Sequence, residues 1–131
     1  MKTLFLSHAA ALGGAELYLH DYLKDSLDHP QPHLRRGGGG GDKTLLFADG
    51  AFADALGALG AEVEVVGASR ALLGVTREDG GRRSLGAVSG VVGLARQVAR
   101  AARDFDVIFA NSQKAFVVGA LAGRLSRRPV V

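Results

Sequence analysis

Apolar runs of strand length alternate with longer amphipathic stretches along the whole chain. Four such runs stand at residues 3–6, 44–47, 63–66 and 107–110, and a fifth begins at 129–131. Between them, apolar residues at helical spacing predict helices over 15–27, 51–59, 84–102 and 116–125. Apolar strands are typical of sheets covered on both faces, and interleaved helices are typical of right-handed parallel crossovers. The pattern therefore predicts an α/β fold with a Rossmann-like, doubly wound parallel sheet.

Two stretches have the composition of loops. Residues 28–42 contain two prolines and the glycine run Gly37–Gly41, and they are predicted to form a flexible loop insertion. Residues 68–83 are polar and contain glycine, which predicts a second loop. Gly60 stands where it would end the second helix. Three further glycines are expected to let the next helix pack closely against the sheet: Gly86, Gly90 and Gly93.

Composition excludes several classes of protein. A length of 131 residues is that of one domain, and no run reaches the ~20 apolar residues of a membrane-spanning helix. Cysteine is absent, which excludes disulfides, a thiolate zinc site and a cysteine nucleophile. The net charge of +3 and the 6% aromatic content do not indicate a nucleic-acid binder. A cytoplasmic protein is the default expectation.

The carboxyl end of the sequence falls within a predicted strand. Residues 127–131 combine the end of a helix, a turn and the first residues of the fifth strand. An interior strand of this kind needs the rest of its ladder, so we expect the chain, residues 1–131, to be a fragment truncated in its fifth strand.

Ligands of doubly wound sheets lie outside the carboxyl ends of the strands, where the strand order reverses. The loop after the first strand carries Gly13-Gly14 at the start of a helix, where backbone N–H groups can approach a phosphate. The same two glycines would also suit a tight turn with no ligand. The spacing is neither that of a dinucleotide fingerprint nor that of a Walker loop.

At this loop the sequence Ser-His-Ala-Ala-Ala-Leu-Gly-Gly-Ala-Glu, from Ser7 to Glu16, resembles the first loop of family 4 glycosyltransferases. These are retaining enzymes of the GT-B fold. The segment from Asp106 to Ser112, the helix after it and the terminal Arg-Pro-Val-Val resemble the same family, so the resemblance runs from end to end. It implies an amino-terminal, acceptor-side domain of an enzyme that moves a sugar from a nucleotide-sugar donor to an acceptor.

The resemblance carries roles over to particular positions. Gly13 and Gly14 would lie against the donor's diphosphate, and His8, Glu16, Asn111 and Ser112 are candidates to line the cleft. Relatives often have histidine at the tip of the fourth strand, where this chain has Asn111-Ser112. The family's catalytic histidine and nucleotide-binding carboxylates would lie in the missing part, so no catalytic residue is assigned and the fragment is expected to be inactive alone.

The partners implied by the resemblance are a nucleotide sugar, a saccharide or lipid-linked acceptor and a carboxyl-terminal Rossmann-like domain. The nucleotide sugar is a co-substrate, and no cofactor or metal is implied. Arg96, Arg100 and Arg103 lie on one helix face, which indicates either a solvated face or peripheral contact with the inner face of a membrane. No nucleic-acid partner is expected.

Two other interpretations of the fold stay open. A flavodoxin-like or receiver-like binding module is one, although a receiver would have clustered acids where Ser7 and His8 stand. A fragment of an NAD-dependent enzyme is the other. Asp49, after the second strand, suits a ribose contact, but the glycine fingerprint after the first strand is missing.

Overall fold

The computed structural model describes residues 1–8, 11–29, 41–67 and 84–131, with the side chains of 84–87 outside that description. The strands are β1 (Thr3–Ser7), β2 (Lys43–Leu46), β3 (Glu62–Val65) and β4 (Val107–Ala110). The α-helices are α1 (Gly14–Asp28), α2 (Ala51–Ala58), α3 (Ser84–Ala101) and α4 (Gln113–Ser126). A short 3-10 turn, Ala102–Asp104, follows α3.

The described strands form one parallel sheet in the order β3-β2-β1-β4. Phe5 at the centre of β1 is level with Thr44 of β2 on one side and Phe109 of β4 on the other. Beyond β4, Val130 bridges to Ile108 in parallel, and the Ile108 amide donates to Pro129 at 2.9 Å. The predicted Rossmann-like sheet flanked by helices is confirmed.

Each face of the sheet has its own apolar core. One face packs under α3 and α4, and its largest buried members include Leu4, Leu6, Leu45, Phe47 and Ile108. The other face packs under α1 and α2, and its buried members are Phe5, Leu19, Leu23, Leu46, Phe52 and Leu56. Consecutive residues of β1 therefore enter opposite cores, because side chains alternate across a strand. This double coverage is why the middle of β1, Leu4 to Leu6, and the end of β2, Leu45 and Leu46, are apolar.

β3 departs from the prediction of apolar strands covered on both faces. It is the edge strand of the described sheet, and Glu62 and Glu64 are exposed on it, as is Val65. Lys43 of the neighbouring strand pairs with both acids, at 2.8 Å from Glu64 and 3.3 Å from Glu62. Its hydrogen bond with Glu64 is the main reason why the pKa of Lys43 is raised. Charged side chains on an edge discourage pairing with another chain.

Gly119 and Gly123 let α4 approach the sheet closely. A Cβ atom at Gly119 would lie 3.2 Å from Leu6 Cδ1, and one at Gly123 would lie 2.8 Å from the Arg128 carbonyl and overlap Val130. By contrast, nothing lies within 4 Å of a Cβ at Gly93, so the predicted packing role is wrong for that residue. A close approach to the sheet is seen at Gly119 of α4, while the prediction for Gly86 and Gly90 is not tested.

Helix ends agree with the predictions to within three residues. Gly60 has φ +78°, the left-handed conformation expected of a glycine that follows a helix, and its amide bonds the Gly57 carbonyl. α1 extends to Asp28, so the predicted loop insertion over 28–42 begins one residue later. Its residues 30–40 lie outside the described part of the chain, as do all residues of the loop predicted at 68–83.

Candidate functional site

The strand order reverses between β1 and β4, so the loops after these two strands lie side by side. The backbone N–H of Asn111 donates to the Leu6 carbonyl at 2.8 Å and extends the β1–β4 pairing to the strand tips. Beyond it, His8 Nδ1 lies 2.7 Å from Ser112 Oγ, which joins the two loops through side chains. Residues more than a hundred positions apart in sequence thus meet at one crevice.

Side chains from both loops also hold the start of α1. Ser7 is fully buried, and its hydroxyl donates to Glu16 Oε1 at 3.2 Å. Asn111 Nδ2 donates to the Ala15 carbonyl at 3.0 Å. The first turn of α1 is therefore tied to β1 by one hydrogen bond and to the β4 loop by another.

Ser112 fixes the start of α4. Its hydroxyl oxygen accepts the Ala115 N–H at 3.2 Å, which makes Ser112 the N-cap of a helix that begins at Gln113. The same hydroxyl also bonds His8 Nδ1, and the His8 tautomer decides which of the two groups donates. The helix was predicted to begin at Phe116, and a serine followed by a helical pattern was the overlooked signal.

His8 is half-buried between charges of opposite sign. Burial, and after it the positive charge of Lys114, lowers the pKa of His8 below its ordinary value of 6.5, and Glu16 acts in the opposite direction. Lys114, in the first turn of α4, had no part in the predicted site. The neutral imidazole that results can donate one hydrogen bond and accept another at neutral pH.

The lowered pKa of His8 predicts a pH-dependent stability. At pH values between the lowered pKa of folded His8 and 6.5, the unfolded chain binds a proton at His8 and the folded chain does not. The free energy of unfolding therefore decreases as the pH is lowered through this range. In urea denaturation at about pH 7.5 and about pH 5.5, His8→Gln should lose less unfolding free energy than the wild type. Identical pH dependence in the two proteins would contradict the prediction.

The two glycines of the first loop have different surroundings. A Cβ atom at Gly13, the N-cap of α1, would lie 2.8 Å from Glu16 Oε2, whereas one at Gly14 would meet nothing within 4 Å. A side chain at position 13 would thus require the Glu16 carboxylate to shift. Nothing in the described chain accounts for the missing side chain at Gly14, which leaves open space at the amino end of α1.

The other histidines of the chain are His20, His29 and His33. His20 and His29 contact Asp21 and Asp25 on α1, and His33 is outside the described residues. In the described ranges, no three His, Cys, Asp or Glu residues are grouped so that they could hold a metal ion. The arginines at 96, 100 and 103 line a small recess with Leu125, near the carboxyl ends of α3 and α4. Membrane contact through them stays a prediction.

Another cleft lies at the opposite end of the sheet. It has a volume of about 460 Å³ and lies where the strands begin, lined by Lys43, Glu62, Glu64, Arg100 and Asp104 among others. Its charges are of mixed sign, with Lys43 paired to Glu62 and Glu64, and ligands of parallel sheets bind at the opposite end. We therefore place the candidate site at the β1–β4 crevice.

Among the helices that the structure describes, none combines the length and apolar character needed to cross a bilayer.

Solved structures of Anabaena HepE (Alr3699) are similar to this chain over nearly its whole length. Those in complex with UDP and glucose and with UDP-glucose are each 35% identical, with a TM-score of 0.68. The one in complex with UDP is 34% identical, with a TM-score of 0.67. Each match covers 99% of this chain and 28% of HepE, so the chain spans just over a quarter of that protein's length. No protein-family model and no curated protein matches the chain.

Proposed function

We propose that this chain is the amino-terminal, acceptor-side domain of a glycosyltransferase that uses a nucleotide-sugar donor. The observation that carries the proposal is the 35% identity over 99% of the chain to a protein crystallised with UDP and glucose and with UDP-glucose. The crevice between β1 and β4 supports it, because this is where sheets of this topology bind ligands. Membership of family 4, the GT-B fold and retention of configuration are part of the proposal and rest on the resemblance of the first loop.

The donor diphosphate would lie at the amino end of α1. Helix amino ends carry free N–H groups and partial positive charge, which suits phosphate oxygens, and the open space beside Gly14 lets a ligand approach the backbone. His8, held by Ser112, and the neighbouring Asn111 would border the same crevice. The acceptor, a saccharide or a lipid-linked sugar, and the second Rossmann-like domain would complete the site from outside this chain.

Titration of the full-length protein with UDP tests the proposal. Gly14→Val should weaken UDP binding about ten- to a hundredfold, because a bulky side chain holds the phosphates away from N–H donors and each such bond to a charged group contributes about 1.5–3 kcal/mol. The matched control is Gly57→Val on α2, where a Cβ atom also meets nothing within 4 Å. It should leave UDP affinity unchanged.

Two results would refute the donor site. One is a folded wild-type protein with no measurable affinity for UDP or UDP-glucose, and the other is a Gly14→Val variant that binds UDP as the wild type does. Titration with NAD⁺ under the same conditions tests the dinucleotide alternative, for which NAD⁺ and not UDP would bind.

A further inference from the structure

Glu16 is a carboxylate enclosed by the protein beside the loop that we propose to hold phosphates. Only 6% of the residue is exposed. One oxygen, Oε1, accepts the hydroxyl proton of fully buried Ser7 at 3.2 Å. The other, Oε2, lies 2.8 Å from where a side chain at Gly13 would begin. A side chain at position 13 would therefore displace the end of the Glu16 side chain from its present place.

The backbone at position 13 does not itself require glycine. Gly13 has φ −110° and ψ −173°, an extended conformation that any residue adopts. A serine there would be a better N-cap, and with Glu16 three residues later it would complete a capping box. The chain instead has no side-chain cap on α1. Neither backbone conformation nor helix capping favours glycine here, and the contact that a side chain would disturb is the one with the Glu16 carboxylate.

Ser7 gives this arrangement a rigid support. It is the last residue of β1, level with Leu46 of β2, and its carbonyl accepts the Phe47 N–H at 3.0 Å. The bond from its side chain to Glu16 thus connects the first turn of α1 directly to the centre of the sheet.

We propose that Ser7, Glu16 and the bare Gly13 form a positioning unit that holds the Gly13-Gly14 turn with its N–H groups free for the donor's diphosphate. The inference rests on the proposed function. None of the three is a catalytic residue. They act through the backbone of the turn, so disturbing them should change donor binding without unfolding the domain.

A double-mutant cycle on the full-length protein tests the unit, with UDP affinity and thermal stability measured for each variant. Gly13→Ser should stay folded, since the cap it supplies offsets part of the lost Ser7–Glu16 bond, yet weaken UDP binding about tenfold because its Cβ displaces the carboxylate. Glu16→Ala should weaken UDP binding by a similar factor. The double variant, Gly13→Ser with Glu16→Ala, should bind UDP no more weakly than Glu16→Ala alone.

Glu16→Gln is the conservative control. It keeps an acceptor oxygen for Ser7 and should bind UDP within about twofold of the wild type. A Gln variant as weak as the Ala variant would overturn the proposal, since charge and not the hydrogen bond would then matter.

The remaining outcomes are also decisive. If Gly13→Ser weakens UDP binding by the same factor in the wild type and in the Glu16→Ala variant, the serine side chain blocks the phosphate directly. That result would refute the positioning role. If the wild type binds UDP and none of the variants differs from it, the positioning unit falls while the donor site stands. If the folded wild type binds no UDP, the proposed function fails and the unit with it.

Discussion

Gly123→Ala is expected to lower the free energy of unfolding by about 2–3 kcal/mol, as overpacking of a filled site does. The added methyl group would overlap Val130 and come within 2.8 Å of the Arg128 carbonyl, which is backbone and cannot rotate away. The terminal residues 129–131 would therefore have to move from β4. Gly93→Ala is the matched control. A Cβ there meets nothing, so alanine should stabilise α3 by about 0.5–1 kcal/mol.

Hydrogen exchange locates the damage in the Gly123→Ala variant. The amides of Ile108 and Ala110 donate to the carbonyls of Pro129 and Val131 and should lose protection. The Asn111 amide, which donates to Leu6 on the other side of β4, should keep its protection. Equal protection at all three amides, or a variant as stable as the wild type, would contradict this account of α4 packing.

Ser112→Ala should lower the free energy of unfolding by about 2 kcal/mol, because it removes the cap of α4 and leaves His8 Nδ1 without its partner. Ser112→Asn is the control, since asparagine caps helices as well as serine does and its amide can reach His8. It should retain most of the stability in urea denaturation. If the Ala and Asn variants lose the same free energy of unfolding, Ser112 does not stabilise the protein by capping α4.

The predictions that rested on local pattern agree best with the structure. β4 spans 107–110 as predicted, and α2 ends one residue earlier than predicted, with Gly60 in the left-handed conformation after it. The β3 prediction failed in one respect. We predicted that β3 is covered on both faces because it lies in a mostly apolar run, although that run contains Glu64. Four residues do not show whether a strand lies at the edge or in the interior of a sheet.

The sequence predicted the location of the candidate site but not the contacts between its side chains. Topology puts the loops after β1 and β4 together, so His8 and Ser112 could both be named in advance as candidates to line the cleft. The pairing of Ser7 with Glu16, the charge of Lys114 near His8 and the closeness of Gly13 to the Glu16 carboxylate could not. Each depends on distances of a few ångströms between side chains, which sequence spacing does not fix. The binding roles of these residues stay predictions.

The order and type of the elements, and hence the parallel α/β architecture, were determined by the sequence alone, because hydrophobic period and turn residues act locally along the chain. Tertiary structure decided which elements became edges, which glycines were needed and where carboxylates could be buried. Gly93 and Gly123 are both glycines within helices, but of these two only Gly123 lies against the backbone of another segment. That difference is a property of packing, in which atoms distant in sequence compete for the same space.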